Sequence, residues 1–254
     1  MSRRLFRSLA GVTALTLALI LPGAASANHS WDGYHWARTT NPFTLKLGDN
    51  VDSRWDSYLA TTSADWTAST VLNTTIVAGG TRSRNCRPTT GRVEVCNASY
   101  GNTGWLGLAS IFITGGVHIT QGHVKNNDTY FDTAQYNTPA WRNLVMCQEV
   151  GHTLGLGHQD EAFDNPNLGT CMDYTNDPST NQHPNGHDYD QLVAMYAHLD
   201  STTTVGAATA SSSGAASSAS EFGRLVSSSS DGKVQTFVRQ LRGGNLEVTF
   251  VIWA

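Results

Sequence analysis

The chain has few basic residues, since 16 Lys and Arg stand against 20 Asp and Glu among 254 residues. Three of its arginines, Arg3, Arg4 and Arg7, precede an apolar run that we interpret as a cleaved export signal. Its removal leaves 13 basic against 20 acidic residues, a formal charge of −7. Nucleic-acid binding requires a basic patch or stripe, so we expect no nucleic-acid partner. A charge of this sign is otherwise typical of a soluble secreted protein.

The same N-terminal segment is too short to anchor the chain in a membrane. The apolar run from Leu9 to Leu21 falls short of the roughly 20 residues that a helix needs to cross a bilayer. Small residues at Ala25-Ser26-Ala27 then offer a signal peptidase site. We therefore expect residues 1–27 to be a signal peptide and the mature protein, from Asn28, to be extracellular with no membrane span.

Cysteine is scarce and forms no close Cys-x-x-Cys pair, which argues against a cysteine metal site. All four cysteines lie in the exported part, where an oxidising compartment favours disulfides, and four cysteines permit three pairings. We favour Cys86 with Cys96, which closes a short loop, and Cys147 with Cys171.

Composition divides the mature chain into three parts. Residues 28–200 have mixed globular sequence, long enough for one domain with its own core. Residues 201–220 are almost entirely Ser, Thr, Ala and Gly, which is typical of a flexible linker. Residues 221–254, the C-terminal tail, regain the alternation of a small hairpin or meander, with strands predicted at Lys233–Leu241 and Asn245–Trp253. The tail is too short to be stable alone, so we expect it to pack on the main domain or on a partner.

Local patterns in the main domain predict an α+β fold. Apolar spacing predicts an early helix over Asp52–Thr67 and a last helix over Asp188–Leu199. Between them, Thr138 can cap and Pro139 can begin a helix that Gly155 ends. Short β-rich segments bounded by Gly, Asn and Asp predict strands at Phe43–Leu47, Thr75–Ala78, Arg92–Val95, Ser110–Thr114 and Val117–Ile119.

The predicted central helix carries the most specific motif in the chain. It reads Gln148-Glu149-Val150-Gly151-His152-Thr153-Leu154-Gly155-Leu156-Gly157-His158. A zinc-protease motif places two histidines four residues apart on one helical face, with a glutamate beside the first. Here Gln148 occupies the first position, while Glu149, His152 and His158 match the rest. A second segment, Cys171-Met172-Asp173-Tyr174, follows about a dozen residues later.

These two segments resemble the metzincin clan of zinc endopeptidases, and within it the matrixin-like secreted bacterial members. The second segment resembles the clan's Met-turn, including a tyrosine two residues after the methionine. The resemblance implies a metzincin-like catalytic domain: a twisted mixed sheet, an active-site helix, a Met-turn and a C-terminal helix. It also implies that the segment His118–Asp132 is the edge strand and loop bordering a substrate cleft.

The resemblance assigns a role to each motif residue. Zn²⁺ would be held by Gln148, His152 and His158, while Glu149 accepts a proton from the water that attacks the peptide. Tyr174 would stabilise the tetrahedral intermediate, or occupy the metal in the resting state. Met172 is a hydrophobic floor, since thioether sulfur is a poor ligand for zinc. A Cys147–Cys171 bond would tie the helix to the Met-turn. A structural Ca²⁺ is a further expectation, although no residue pattern indicates its site.

Position 148 leaves three interpretations. Gln148 ligates zinc weakly in a working site, since a neutral amide is not among the usual zinc ligands. Alternatively, another group completes the shell, or the chain keeps the fold without hydrolysis. The candidates for the second interpretation are Asp160, His118, His123, His183 and His187.

The function we expect is a monomeric, secreted zinc endopeptidase that acts on protein or peptide substrates. The alternative is a pseudoprotease whose cleft binds proteins or peptides, although such a binder has no chemical need for Glu149. A structural protein of the cell envelope is a third hypothesis, based only on the linker and tail. Because the residues between Asn28 and the helix are used by the catalytic domain, we expect no cysteine-switch propeptide.

Overall fold

The computed structural model describes residues 29–206, 209–210 and 215–254. The predicted signal peptide, residues 1–27, lies outside the described residues, as does part of the predicted linker. No helix in the described part of the chain is both long and apolar enough to cross a membrane.

The described residues form eleven strands and four α-helices. The strands are β1 (His35–Trp36), β2 (Phe43–Asn50), β3 (Leu72–Ala78), β4 (Thr89–Thr90), β5 (Val93–Ala98), β6 (Trp105–Thr114), β7 (His118–Asn127), β8 (Thr209–Ala210), β9 (Arg224–Ser228), β10 (Val234–Gln240) and β11 (Leu246–Trp253). The α-helices are α1 (Asp56–Thr67), α2 (Asp128–Phe131), α3 (Pro139–Thr153) and α4 (Gly186–Met195).

One mixed sheet dominates the structure. Its strand order is β3-β2-β5-β7-β6-β11-β10-β9, and β1 pairs in parallel with the start of β7. Strands β3, β2, β5 and β7 run parallel to one another, whereas β6 and the three tail strands pair antiparallel. A sheet of this size with a few helices confirms the predicted α+β class.

The local predictions placed most elements correctly, but made the strands of the main domain too short and the first and last helices too long. Each predicted strand overlaps an observed strand that extends further, and the first helix begins at Asp56. The last helix begins two residues earlier than predicted because Asn185 caps it, with Asp188 completing a reciprocal capping box. In the tail, β10 and β11 occupy the two predicted strands, while β9 was not predicted.

The expectation that the segment His118–Asp132 forms an edge strand is wrong. Strand β7, which occupies most of this segment, lies between β5 and β6 inside the sheet. Its second half is polar but buried, including Lys125, Asn126 and Asn127. The strand of the main domain that pairs with the tail is β6. On its other side, β6 pairs antiparallel with β7, to which it is joined by a turn through Gly115 and Gly116.

Two apolar clusters hold the sheet from its two sides. The larger joins α1, α3 and α4 to the sheet, and includes Trp55, Leu59, Trp66, Leu144, Val150 and Leu192. The smaller joins β6 to the tail, and consists of Trp105, Leu108, Ala216, Phe222, Phe237 and Val251. Side chains alternate across a strand, so β11 contributes Val251 to the smaller cluster and Phe250 and Ile252 to the larger.

Two disulfides join the predicted partners. Cys86 bonds to Cys96, which lies on β5, and Cys147 of α3 bonds to Cys171. The second disulfide fixes the segment after α3 to the helix that carries the motif.

Lys125 is a fully buried cation on β7. Its ammonium donates hydrogen bonds to Ala216 O at 2.8 Å and to Ser217 Oγ at 2.6 Å, which ties the segment before the tail to the sheet. Burial lowers the pKa of Lys125 to about 8, although Glu221 and Glu247 oppose the shift.

Lys125→Met is expected to change how stability depends on pH. The folded pKa, about 8, lies below the value of about 10.4 for an unfolded lysine, so between these values the unfolded chain binds more protons. Raising the pH from 8 to 10 should therefore stabilise the wild type relative to the variant by about 2 kcal/mol. Urea unfolding at both pH values measures the difference, with Lys46→Met as the comparison for losing a lysine. A difference between wild type and Lys125→Met that does not vary with pH would contradict the account.

Candidate active site

Helix α3 positions the motif as predicted. Thr138 accepts a hydrogen bond from the backbone N–H of Trp141 at 3.2 Å, and Pro139 occupies the first helical position. The helix ends at Thr153, and Gly155 follows with φ +94°, a left-handed conformation that suits glycine. A Cβ on Gly155 would lie 2.0 Å from Tyr34 O, so no larger residue fits this turn.

The turn brings His158 back to the helix, against His152. The two Nε2 atoms lie 3.1 Å apart. Nδ1 of His152 lies 2.8 Å from Leu156 O, an acceptor, so a neutral His152 carries its lone pair on Nε2 and directs it at His158. Burial, followed by the neighbouring His158, lowers the pKa of His152 well below its ordinary value. The imidazole of His152 is therefore neutral, which is the form that ligates metals.

This pair fits a zinc ion. Ligand atoms about 2.0 Å from a tetrahedral Zn²⁺ lie about 3.3 Å from one another, close to the observed separation. The carbonyl of Leu156 acts on Nδ1 as the supporting groups of metal-bound histidines do. A third predicted ligand, Gln148, lies in the same cavity. Its amide nitrogen donates to Cys171 O at 2.9 Å, which leaves the amide oxygen as the atom with ligand character.

Glu149 lines the same cavity and is almost completely buried. Among the described residues, its Oε2 has no hydrogen-bond partner. Burial raises the pKa of the Glu149 carboxyl well above its ordinary value. An unpartnered carboxyl oxygen in a buried cavity is costly for stability and is typical of a functional site.

The Met172 side chain lies beneath the helix. A Cβ added to Gly151 would lie 2.6 Å from Met172 Sδ and 2.7 Å from Trp66, so the thioether packs where the helix has no side chain. Tyr174 stands on the other side, with its ring 5.4 Å from that of His158. Burial, then the charge of Glu149, raises the pKa of Tyr174 well above its ordinary value. The phenol therefore keeps its proton, which it donates to Lys233 O at 2.8 Å.

The C-terminal tail covers this site. Phe250 stacks on His152 with ring centroids 4.3 Å apart and planes 5° from parallel. Val234, Val251 and Ile252 complete the walls of a tightly closed cavity around the motif residues, which has no space for a water molecule. No local pattern indicates this contact, because the pairing of β11 with β6 joins segments more than a hundred residues apart.

The other ligand candidates do not line this cavity. His123 on β7 is completely buried. Nδ1 of His183 lies 2.8 Å from Oδ2 of Asp65, and the ring of His187 stacks on that of His29 with centroids 5.0 Å apart. Asp160 accepts hydrogen bonds from Ala162 N and Asn165, within its own loop.

His118 belongs to a different cluster. Its Nε2 lies 3.2 Å from Asp200 Oδ1, beside His35 and His198. Among the described residues, His35, His198 and Asp200 form a group whose ligand atoms lie close enough together to hold a metal ion. This group was not predicted, because no local spacing in the sequence connects residue 35 with residues 198 and 200.

Comparison with known proteins gives a distant likeness among solved structures. No protein-family model and no curated protein matches the chain. Among solved structures, the chain is similar to myroilysin, with 11% sequence identity, a TM-score of 0.34, and coverage of 70% of this chain and 89% of that chain.

Gly107→Ala is expected to destabilise the protein at the site. A Cβ at this position of β6 would lie 2.5 Å from Val145 and 2.9 Å from Glu149 Oε1, so the helix or the carboxylate must move. Overpacking of this kind costs about 1–3 kcal/mol of unfolding free energy. Urea unfolding measures the loss. Gly186→Ala is the matched control, because a Cβ there meets no heavy atom within 4 Å and its stability should be unchanged or higher. Equal stability of Gly107→Ala and wild type would contradict the packing argument.

Proposed function

We propose that the chain is a secreted zinc-dependent endopeptidase of the metzincin type, matrixin-like, monomeric and active on protein or peptide substrates. One observation carries the proposal: the Nε2 atoms of two imidazoles, His152 and His158, lie 3.1 Å apart in a buried cavity lined also by Glu149, whose Oε2 has no hydrogen-bond partner among the described residues. The two disulfides agree with an oxidising, extracellular location. The sequence of residues 1–27 supplies the export signal.

His152, His158 and Gln148 would hold the zinc ion. When bound, zinc supplies a Lewis acid that polarises the scissile carbonyl and acidifies a water molecule. Gln148 would be the weakest of the three zinc ligands, because its amide is neutral and its nitrogen already donates a hydrogen bond to Cys171 O. Its place on the same helical face as His152 makes it part of the lining of the same cavity.

Glu149 is the proton carrier of the proposed reaction. Its Oε2 is free to take a proton from the attacking water and to return it to the leaving amine. General-base catalysis works best when the pKa of the base lies near the operating pH, and burial moves the pKa of Glu149 in that direction. Gly107 leaves room on β6 for this carboxylate.

Tyr174 and Met172 support the proposed site in different ways. The hydroxyl of Tyr174 keeps its proton and is a hydrogen-bond donor for a developing oxyanion once Lys233 O is replaced as its acceptor. Met172 fills the space under Gly151 and so fixes the turn of helix before His152.

A pseudoprotease is the second candidate function. Two observations favour it: the amide of Gln148 is committed to Cys171 O, and the tail fills the cleft above the motif. In that case the cleft binds its own tail rather than a substrate.

Replacing Glu149 and His152 tests the proposal. Glu149→Gln should retain zinc but lower the rate of cleavage of an unfolded protein such as casein by about 100- to 10,000-fold. His152→Ala should lose one equivalent of zinc per chain, measured by elemental mass spectrometry. Cleavage that survives Glu149→Gln would remove the proton-transfer role proposed for Glu149, whereas zinc content unchanged in His152→Ala would remove this function and leave the pseudoprotease.

Gln148→His provides a third variant in the same experiment. An imidazole at this position should raise zinc affinity, because it replaces a neutral amide by a usual zinc ligand. Gln182→His adds a histidine at a position bonded to Asn143, away from the cavity, and controls for non-specific binding. Equal affinity in the two variants would show that position 148 does not face the metal.

A further inference from the structure

A second cluster of metal-binding side chains surrounds Asp200, at a place in the fold that shares no residue with the His152–His158 pair. The Asp200 cluster consists of His35, His118, His198 and Asp200. His35 on β1 and His118 on β7 are partners in the parallel pairing of these strands, so their side chains start side by side. His198 and Asp200 follow α4.

Asp200 is oriented so that one oxygen faces the histidines. Its Oδ2 accepts hydrogen bonds from the backbone N–H of Arg38 at 3.2 Å and from the guanidinium of Arg38 at 2.8 Å. Its Oδ1 faces the Nε2 atoms of three imidazoles, at 3.6 Å for His35, 3.2 Å for His118 and 3.7 Å for His198. A buried arginine thus occupies one carboxylate oxygen and leaves the other for the cluster.

The imidazole Nε2 atoms in this cluster lie about as far apart as two ligands of one metal ion. Nε2 of His198 lies 3.2 Å from Nε2 of His35. Nδ1 of His35 is 2.7 Å from Gly33 O, so the neutral ring directs the lone pair of Nε2 into the cluster. Tetrahedral zinc with bonds of about 2.0–2.1 Å separates its ligand atoms by about 3.3–3.4 Å, which lies within the spread of these distances.

We propose that His35, His198 and Asp200 bind a structural Zn²⁺, with His118 the nearest group for the fourth position. This ion would fasten β1 and the segment after α4 to the start of β7. His35 and Asp200 are nearly buried, whereas the side chain of His198 is about half exposed, so an ion can enter from the side of His198.

The test compares His198→Ala with His183→Ala, another exposed histidine bonded to a carboxylate, that of Asp65. His198→Ala should hold one zinc fewer per chain than wild type, and His183→Ala the same number. In the His152→Ala background, which isolates this site, added zinc should raise the melting temperature by about 5 °C or more at 100 times Kd. The rise should vanish when His198→Ala is added. Identical zinc content and melting behaviour with and without His198 would show a cluster of hydrogen bonds only, and would overturn the proposal.

The C-terminal tail carries an independent inference, which rests on the proposed function. Without the tail, β6 would be the last strand of the sheet, beside Glu149 and Val145 at Gly107. An extended peptide binds such an edge by adding a strand. Strand β11 takes that position, with Ile252 opposite Gly107, Val251 opposite Leu108 and Phe250 opposite Ala109.

The tail also occupies the groups proposed for chemistry. Phe250 covers His152, and the carbonyl of Lys233 accepts the proton of Tyr174. We infer that the tail is an inhibitory strand that binds as a substrate would, and that hydrolysis requires its displacement. Its anchor lies on the other face of the sheet, where Phe222 packs on Phe237 with ring centroids 5.4 Å apart.

Weakening that anchor tests the inference without touching the site. Phe222→Ala should open the tail and speed the loss of zinc to a chelator at least tenfold, and should raise Glu149-dependent cleavage of casein. Leu225→Ala, an exposed change on β9, is the matched control and should leave both rates unchanged. Phe237→Leu makes a smaller change in the same cluster, should the first variant fail to fold.

The two readouts separate the tail from the chemistry. Faster zinc loss with no cleavage in any variant would show that the tail covers the zinc site, but would reject the peptidase function. Unchanged zinc loss and cleavage, in a variant whose tail exchanges amide hydrogens faster, would overturn the inhibitory role.

Discussion

The antiparallel pairing of β6 with β11 is the interaction on which the arrangement of the site depends. It extends the sheet by three strands and removes what would be an open edge, which is a liability in any sheet. Because side chains alternate along β11, one strand both completes the smaller cluster through Val251 and covers His152 through Phe250. The tail adds to the burial of His152 and to the walls of the cavity that Glu149 lines, and burial sets the direction of the pKa shift of each.

The elements with strong local signals could be predicted from the sequence. Thr138, Pro139 and Gly155 define α3 by capping chemistry and backbone freedom alone, and the motif residues follow from their place on it. The disulfide between Cys147 and Cys171 could likewise be predicted, because each cysteine directly precedes a motif residue. These features depend on neighbours in the chain, which a sequence displays directly.

The features that depend on distant neighbours could not be predicted. Strand β7 has polar residues that are buried by pairing on both sides, so its interior position has no hydrophobic pattern to show it. His35 and Asp200 meet only because β1 pairs with β7 and the chain returns after α4. Nothing near position 250 indicates that a phenylalanine there would stack on a histidine of α3.

The buried polar groups at α3 present a physical problem that a cation would resolve. With Nδ1 of His152 bonded to Leu156 O, one hydrogen bond to His158 satisfies the facing nitrogens, but Oε2 of Glu149 has no partner in the described part of the chain. Burial disfavours protonation of His152 and ionisation of Glu149 alike. A divalent cation keeps the first preference and reverses the second, because it bonds neutral imidazoles and favours a nearby carboxylate in its charged form. The same ion would therefore stabilise the fold with the tail in place and would keep Glu149 in the charged form that accepts a proton. Metal binding and displacement of the tail would thus both act on His152, His158 and Glu149.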